Sequence, residues 1–259
     1  MPQELFDFAY VPRYEDAIRY LAENLADKEE WDFGNPATKN YPILKNFLEH
    51  TFRKLKTEQK VAFTPNNKNA CFNTGLTTPN QEDIYAFFEE LRNKRPGSTQ
   101  QFCFKAFLKK SENVLLSHFS ANLPDVADYF TQPELLIFNP RNNLIPDIDH
   151  IIQDNFARFP SHMASADSAE VSRRLMGSIE EVKKRVRSNY KLAVPQYYNG
   201  RVQLLLPLNL TSGSPNPDLA LVLYRLNEST YSARTCLTIQ MAYNNARLIV
   251  KPQSEWLRP

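Results

Sequence analysis

Two carboxylates flank an imidazole in the segment PDIDHIIQDNFARF, where Asp147, His150 and Asp154 stand three and four residues apart. In a helix this spacing places all three side chains on one face. Such a face could bind a metal ion or supply an acid/base pair, with His150 as the proton carrier and Asp154 orienting it. A solvated polar face with a hydrogen-bonded histidine has the same spacing, and no HExxH pattern supports a metal site.

Polar side chains also interrupt the apolar C-terminal part of the chain. The segment Tyr243–Arg247 combines a stacking ring, two amides and a fork of donors, which recognition of a base or a ribose phosphate requires. In the alternative interpretation, the amides cap a turn and Arg247 pairs with Asp218. The predicted ligand-binding residues in the second half of the chain are Arg158, Lys191, Gln203, Tyr243, Asn244, Asn245 and Arg247.

A third candidate is the tetrapeptide Asn73-Thr74-Gly75-Leu76, which ends a predicted strand. Its amide, hydroxyl and permissive backbone could hold a phosphate or sugar oxygen, so Asn73, Thr74 and Gly75 are also predicted to bind ligand. Alternatively, Gly75 only supplies a positive φ to a turn.

The densest positive stretch is a predicted helix from Ser168 to Asn189. Its apolar residues recur at helical spacing and point inward, while basic residues occupy the remaining positions. We predict phosphate contacts there, with Phe159, Tyr197, Tyr198 or Tyr243 stacking on bases, although a charge run is more often a solvated face. The predicted nucleic-acid-binding residues are Arg173, Arg174, Lys183, Lys184, Arg185 and Arg187.

Composition excludes several other classes of site. Only six glycines are present and no GxGxxG or GxxxxGK[ST] pattern occurs, so a glycine-rich phosphate loop is excluded. The three cysteines never have CxxC spacing, and we expect no disulfide framework, bound metal or cofactor. The net charge of +2 is too small to indicate nucleic acid by itself. Neither a signal peptide nor an apolar run of about 20 residues occurs, which predicts a cytoplasmic protein without a membrane partner.

The pattern of elements predicts an α+β fold. A C-terminal antiparallel β-meander of about four strands is packed by helices, and an N-terminal portion is helical with a hairpin. Asn199-Gly200 is the strongest hairpin signal, because both residues tolerate positive φ. We expect one domain over residues 1–259, with a possible boundary near residues 160–170. Pro124–Phe130 is predicted to be a short helix.

Several motifs occur in an order that resembles a bacterial family of domains of unknown function with a characteristic Asn-Thr-Gly-Leu motif. They are FNTGL, DIYAFF, IDHIIQDNFARFP, NYKLAVPQYYNGRVQLLLPL and MAYNNARLI. The resemblance covers about Trp31 to Leu257 and implies association with cold-shock and LOTUS-type RNA-binding modules. It implies no catalytic residues.

Three functions remain open from the sequence. The first is an RNA- or nucleotide-binding protein of bacterial RNA metabolism with a polar pocket for phosphate. The second is a hydrolase or transferase acting on a nucleotide or an RNA end, with His150 as acid/base. The third is a structural or partner-binding protein. The sequence carries no indication of an oligomeric state.

Overall fold

The computed structural model describes residues 2–34, 39–94, 96–120 and 122–259, and it has the predicted α+β fold. The chain divides into two compact units, Met1–Asp128 and Tyr129–Pro259, each with its own five-stranded sheet. The expected single domain, with a possible boundary near residues 160–170, stays a prediction; that stretch lies inside the second unit.

The first unit is a mixed sheet with helices. Its helices are α1 (Leu5–Phe8), α2 (Tyr14–Tyr20), α3 (Pro42–Thr57) and α4 (Asn113–Phe119), and a π-helical turn, Leu21–Leu25, extends α2. Its strands are β1 (Ala9–Tyr10), β2 (Ala62–Phe63), β3 (Asn69–Thr77), β4 (Asp83–Glu90) and β5 (Phe102–Lys109). The strand order is β1-β5-β4-β3-β2, with β1 parallel to β5 and the other pairs antiparallel.

Both faces of this sheet are covered, which explains the apolar runs at residues 70–72 of β3 and 84–88 of β4. On one face, the ring of Phe72 packs 5.4 Å from Phe52 of α3, centroid to centroid. On the other face, Cys71 and Phe87 share a core with Leu115 of α4. Alternate side chains along a strand point to opposite faces, so a strand buried on both sides must be apolar throughout.

The second unit contains the predicted meander. Its helices are α5 (Ile148–Asn155), α6 (Ser168–Ser188) and α7 (Ile239–Arg247). Its strands are β6 (Asn143–Pro146), β7 (Val194–Tyr198), β8 (Arg201–Leu208), β9 (Leu219–Asn227) and β10 (Thr230–Leu237). The order is β6-β10-β9-β8-β7, and β7 to β10 form the predicted antiparallel meander, while β6 adds a parallel strand at its edge.

The hairpin between β7 and β8 turns at Asn199 and Gly200, whose φ angles are 47° and 78°. Along β8, Leu204, Leu206 and Leu208 join the core formed with α5 and α6. Residues between them, such as Gln203, point to the opposite face, because side chains alternate along a strand. That opposite face is the one on which α7 lies, since Asn245 of α7 bonds to Gln196, the cross-strand partner of Gln203.

The predicted helix Pro124–Phe130 is wrong, because this segment has no regular secondary structure. Its backbone groups bond to side chains of the first unit instead of to each other. Lys60 Nζ donates to the carbonyl of Val126 at 2.9 Å, and the backbone N–H of Asp128 donates to Glu58 Oε2 at 3.1 Å. Glu58 also pairs with Lys60 Nζ at 2.9 Å and with Lys54 Nζ at 2.8 Å.

Within the described ranges, every helix is too short or too polar to cross a bilayer.

Candidate functional site

Helix α6 is built as an amphipathic helix. The carboxylate of Asp167 accepts a hydrogen bond from the backbone N–H of Glu170 at 2.7 Å, which caps the first turn. Five apolar side chains, spaced three or four residues apart, are buried against the sheet: Val171, Leu175, Ile179, Val182 and Val186. The charged residues therefore occupy the flanks and the outward face.

Three of the six predicted cations lie on the flanks of α6 and are paired with acidic residues of the same helix. Arg174 Nη2 lies 2.8 Å from Glu170 Oε1, Lys183 Nζ lies 2.7 Å from Glu180 Oε1, and Arg185 Nη1 lies 3.6 Å from Glu181 Oε1. Arg185 also donates to Asn209 Oδ1 at 3.3 Å. These cations already have partners for their positive charge.

The other three, Arg173, Lys184 and Arg187, are exposed. Among the residues that the structure describes, none of the three makes an ion pair or a side-chain hydrogen bond. At 3.6 residues per turn they lie within an arc of about 60°, over about 21 Å of helix, on the side opposite the buried stripe. We call this the outward face of α6. Glu180 lies on the same face, with its carboxylate held by Lys183.

A groove begins two residues after α6 ends. Its volume is about 420 Å³, and its walls are the turn Tyr190–Leu192, the first residues of β7, Leu136 with Ile137, and the C-terminal segment Val250–Ser254. Lys191, predicted from sequence to bind ligand, lines it together with Lys251, and its lining includes no carboxylate. We call it the C-terminal groove.

The wall formed by the C-terminal segment is fixed at both ends. Ile249 on one side and Leu257 on the other are buried. Between them, Ser254 Oγ donates to the carbonyl of Lys191 at 3.1 Å, and Trp256 Nε1 donates to the carbonyl of Leu192 at 3.0 Å. These contacts hold the C-terminal wall of the groove in place.

The predicted acid/base pair lies on the exposed face of α5. His150 Nε2 is 3.4 Å from Asp154 Oδ2, and the two side chains are 38% and 57% exposed. Asp147 caps α5, since its Oδ1 accepts from the backbone N–H of His150 at 3.2 Å, and its Oδ2 lies 3.3 Å from Arg234 Nε. In the described part of the chain, no group of three or more His, Cys, Asp or Glu side chains could hold a metal ion.

Arg158 and Asn155 connect the end of α5 to β10. The buried Asn155 Oδ1 accepts from Thr235 Oγ1 at 2.7 Å, from the backbone N–H of Cys236 at 2.7 Å and from Arg158 Nη1 at 3.0 Å. Arg158 Nη1 also donates to the carbonyl of Cys236. Burial raises the pKa of the Cys236 thiol to about 12, so it stays neutral beside Arg158. Here Arg158 stabilises the fold.

The polar residues of α7 lie against β7. Asn245 Nδ2 donates to Gln196 Oε1 at 3.1 Å, and Gln196 Nε2 donates to Gln203 Oε1 at 2.8 Å. Gln196 is only 1% exposed, and the chain of amides satisfies it inside the sheet face. Tyr243 and Arg247 are also buried. The buried Asn244 Oδ1 has no hydrogen-bond partner among the described residues.

The Asn-Thr-Gly-Leu motif forms an irregularity in β3. Between Asn73 and Thr77 the register with β4 shifts. The motif's polar groups bond within the bulge: Asn73 Oδ1 accepts from the N–H of Gly75 at 2.9 Å, and Thr74 Oγ1 donates to the carbonyl of Ile84 at 2.7 Å. Gly75 has a φ of 74°, which only glycine adopts at little cost. These interactions match the turn interpretation of Gly75.

One comparison with known proteins identifies the family. The model of a domain of unknown function, DUF3825, matches residues 22–256. The chain belongs to this family. No curated protein and no solved structure gives a significant match to it. The DUF3825 match includes α5, α6, the Asn-Thr-Gly-Leu bulge and the whole lining of the C-terminal groove.

The predicted pocket residues of this DUF3825 chain lie in separate places. Asn73, Thr74 and Gly75 belong to the first unit. In the second unit, α5 packs on one face of the sheet, while the amides of α7 and Gln203 lie on the other. The C-terminal groove is lined by Lys191, and neither His150, Arg158 nor Arg247 belongs to its lining. The binding and catalytic roles of these residues stay predictions.

Sequence reasoning missed most of the C-terminal groove of this DUF3825 chain. Lys251, Ile137 and Val250 were assigned no role, and Tyr190 was noted only as part of a motif. Of the aromatic residues expected to stack on bases, Phe159 and Tyr243 are buried, and Tyr197 packs edge-on against Tyr129 at 4.9 Å. The fourth, Tyr198, is 52% exposed, and Tyr190, which was not among them, is 64% exposed. Its position directly after a basic helix was the available signal.

Proposed function

We propose that this protein binds RNA through the outward face of α6 and acts in bacterial RNA metabolism in the cytoplasm. The observation that carries the proposal is the separation of the α6 cations into two sets. Arg174, Lys183 and Arg185 are neutralised within the helix, whereas Arg173, Lys184 and Arg187 share one exposed face. Unpaired cations on a common face can release counterions when they meet phosphates.

Geometry favours a backbone ligand over a compact anion. The three unpaired cations are spread over about 21 Å of a helix, too far apart to surround one phosphate but suited to successive phosphates of a strand. Their position opposite the buried stripe leaves the face open to a large ligand. The net charge of the chain is only +2, so a general attraction of polyanions would be weak and local contacts must supply the affinity.

The sequence resemblance supports the same ligand. A family marked by the Asn-Thr-Gly-Leu motif and joined to cold-shock and LOTUS-type modules is expected to work on RNA. Nucleotide chemistry by His150 and Asp154 stays a prediction. That pair lies on an exposed helix face, where water weakens the electrostatic effects on which acid/base catalysis depends. RNA binding is therefore the function that the geometry supports best.

Equilibrium binding of a fluorescent single-stranded RNA tests the proposal. The variant R173Q/K184Q/R187Q removes the unpaired cations, and the control R174Q/K183Q/R185Q removes the same number of charges from the paired set. We expect the first variant to bind about tenfold more weakly or worse, and the control to lose much less. Thermal unfolding of both variants verifies folding. Wild type that fails to bind RNA, or an equal loss in both variants, would refute the proposal.

A further inference from the structure

The C-terminal groove has an electrostatic preference of its own. Lys191 and Lys251 line it from two different walls, one from the turn after α6 and one from the C-terminal segment. No Asp or Glu belongs to its lining, so neither lysine has a carboxylate within the groove. Two ammonium groups across a cleft favour a ligand with a negative charge between them.

Apart from Gln253 and Ser254, the rest of the lining is mainly apolar, and it includes an exposed aromatic ring. Tyr190 is 64% exposed, Ile137 is 60% exposed and Val250 is 44% exposed. All three lie in this groove, together with Pro195 and Pro252. A flat ring inserted between Tyr190 and the aliphatic side chains would cover surface that is otherwise in water. The groove thus offers a stacking surface next to two cations.

Size and rigidity point to a small ligand or to one unit of a polymer. A volume of about 420 Å³ lies in the usual range for small-molecule sites, roughly 300 to 1,000 Å³. The bonds of Ser254 and Trp256 to the turn keep the walls in place, so binding requires little ordering of the chain. A nucleotide combines a planar ring and a phosphate at this scale.

We infer that the C-terminal groove holds one unstacked nucleotide of single-stranded RNA, with its base against Tyr190 and its phosphate between Lys191 and Lys251. This inference rests on the proposed RNA binding and adds a preference to it. Arg187 is three residues before Tyr190 in sequence, so the outward face of α6 and the groove are close along the chain. A duplex keeps its bases stacked and cannot supply such a nucleotide.

The probes for the test are a single-stranded RNA of about twelve nucleotides, the same RNA annealed to its complement, and adenosine 5′-monophosphate. The variants are Tyr190→Ala, Tyr190→Phe and K191Q/K251Q. Tyr20→Ala and K28Q/K68Q, at exposed positions of the first unit, are the matched controls. We expect Tyr190→Ala and K191Q/K251Q to weaken single-strand binding about tenfold and duplex binding little. Tyr190→Phe should retain affinity because it keeps the ring.

The outcomes separate this inference from the proposed function. If R173Q/K184Q/R187Q loses binding and the groove variants have no effect, the inference about the groove is refuted and the proposed RNA binding by α6 stands. Groove variants that weaken single strand and duplex equally show a general charge effect and also refute it. If polyglutamate binds the groove while the RNA and the mononucleotide do not, the ligand is an acidic peptide and the inference is refuted. Saturable binding of the mononucleotide that is lost in K191Q/K251Q supports it directly, even where the outward face of α6 proves inactive.

Discussion

Removal of Arg173, Lys184 and Arg187 should reduce the salt dependence of RNA binding by a calculable amount. For single strands, each neutralised phosphate changes the slope of log Kobs against log[salt] by about −0.7. Three contacts contribute a slope of about −2, which is about an eighteenfold change in affinity between about 50 mM and about 200 mM salt. R173Q/K184Q/R187Q should lose this contribution.

Fluorescence anisotropy at four or more salt concentrations measures the slope for wild type, for this variant and for R174Q/K183Q/R185Q. The control should keep a slope close to that of wild type, because its three cations already have carboxylate partners. A wild-type slope near zero would refute phosphate binding. A slope that falls equally in the two variants would show that only total charge matters and that the pairing of the cations has no role.

Three further predictions concern the scaffold. Asn155→Ala leaves three donors in and around β10 without their acceptor and should lower the free energy of unfolding by about 3 kcal/mol, while the exposed Gln153→Ala changes it little in urea denaturation. Gly75→Ala should lower the free energy of unfolding by about 1 kcal/mol, because the φ angle of Gly75 is 74°. Gly177→Ala inside α6, where an added Cβ meets no atom within 4 Å, should raise it by a similar amount. A change of the same sign in both variants would refute the conformational argument. Burial raises the pKa of Glu58, but hydrogen bonds from Lys54, Lys60 and the Asp128 backbone outweigh burial, so the pKa in the folded protein lies below 4.5. The ionised carboxylate therefore stabilises the fold above pH 4.5, and this stabilisation is lost as pH falls through the folded pKa. Glu58→Gln should therefore lower stability by about 1 kcal/mol near pH 7, and this deficit should shrink as pH falls through the folded pKa. A deficit that does not change on acidification would contradict this assignment.

The sequence predicted those elements whose structure is determined by residues close to each other along the chain. The apolar spacing of α3 and α6, and the Asn199-Gly200 turn, each specify structure within a few consecutive residues. The strands β1 and β6 escaped prediction, since they have two and four residues and pair in parallel with distant strands. Nothing in such a short segment reveals its partner.

The candidate site divides in the same way. The basic residues of α6 were found from their local density along a predicted helix, but which of them are paired depends on rotamers and on the acids one turn away. The C-terminal groove joins Ile137, Tyr190 and Lys251, which are far apart in sequence. No short stretch of sequence contains all three residues, so the pattern of residues along the chain could not predict the groove. The bond of Arg158 to the backbone of Cys236 could not be predicted, because these residues are far apart in sequence and adjacent only after α5 packs on β10.

The hydrogen bonds between the amide side chains that connect α7 to its sheet all run in one donor-to-acceptor direction. Asn245 donates to Gln196, which donates in turn to Gln203, so each amide has one orientation that satisfies its neighbours. If leucines formed this contact, α7 could slide or rotate over β7 with little change in energy. The series of hydrogen bonds is satisfied in only one alignment of the helix on the strand. The position of α7 also determines where the chain leaves it, and that exit point sets the course of the C-terminal segment. Three side chains outside the groove lining thus help to position the start of its C-terminal wall.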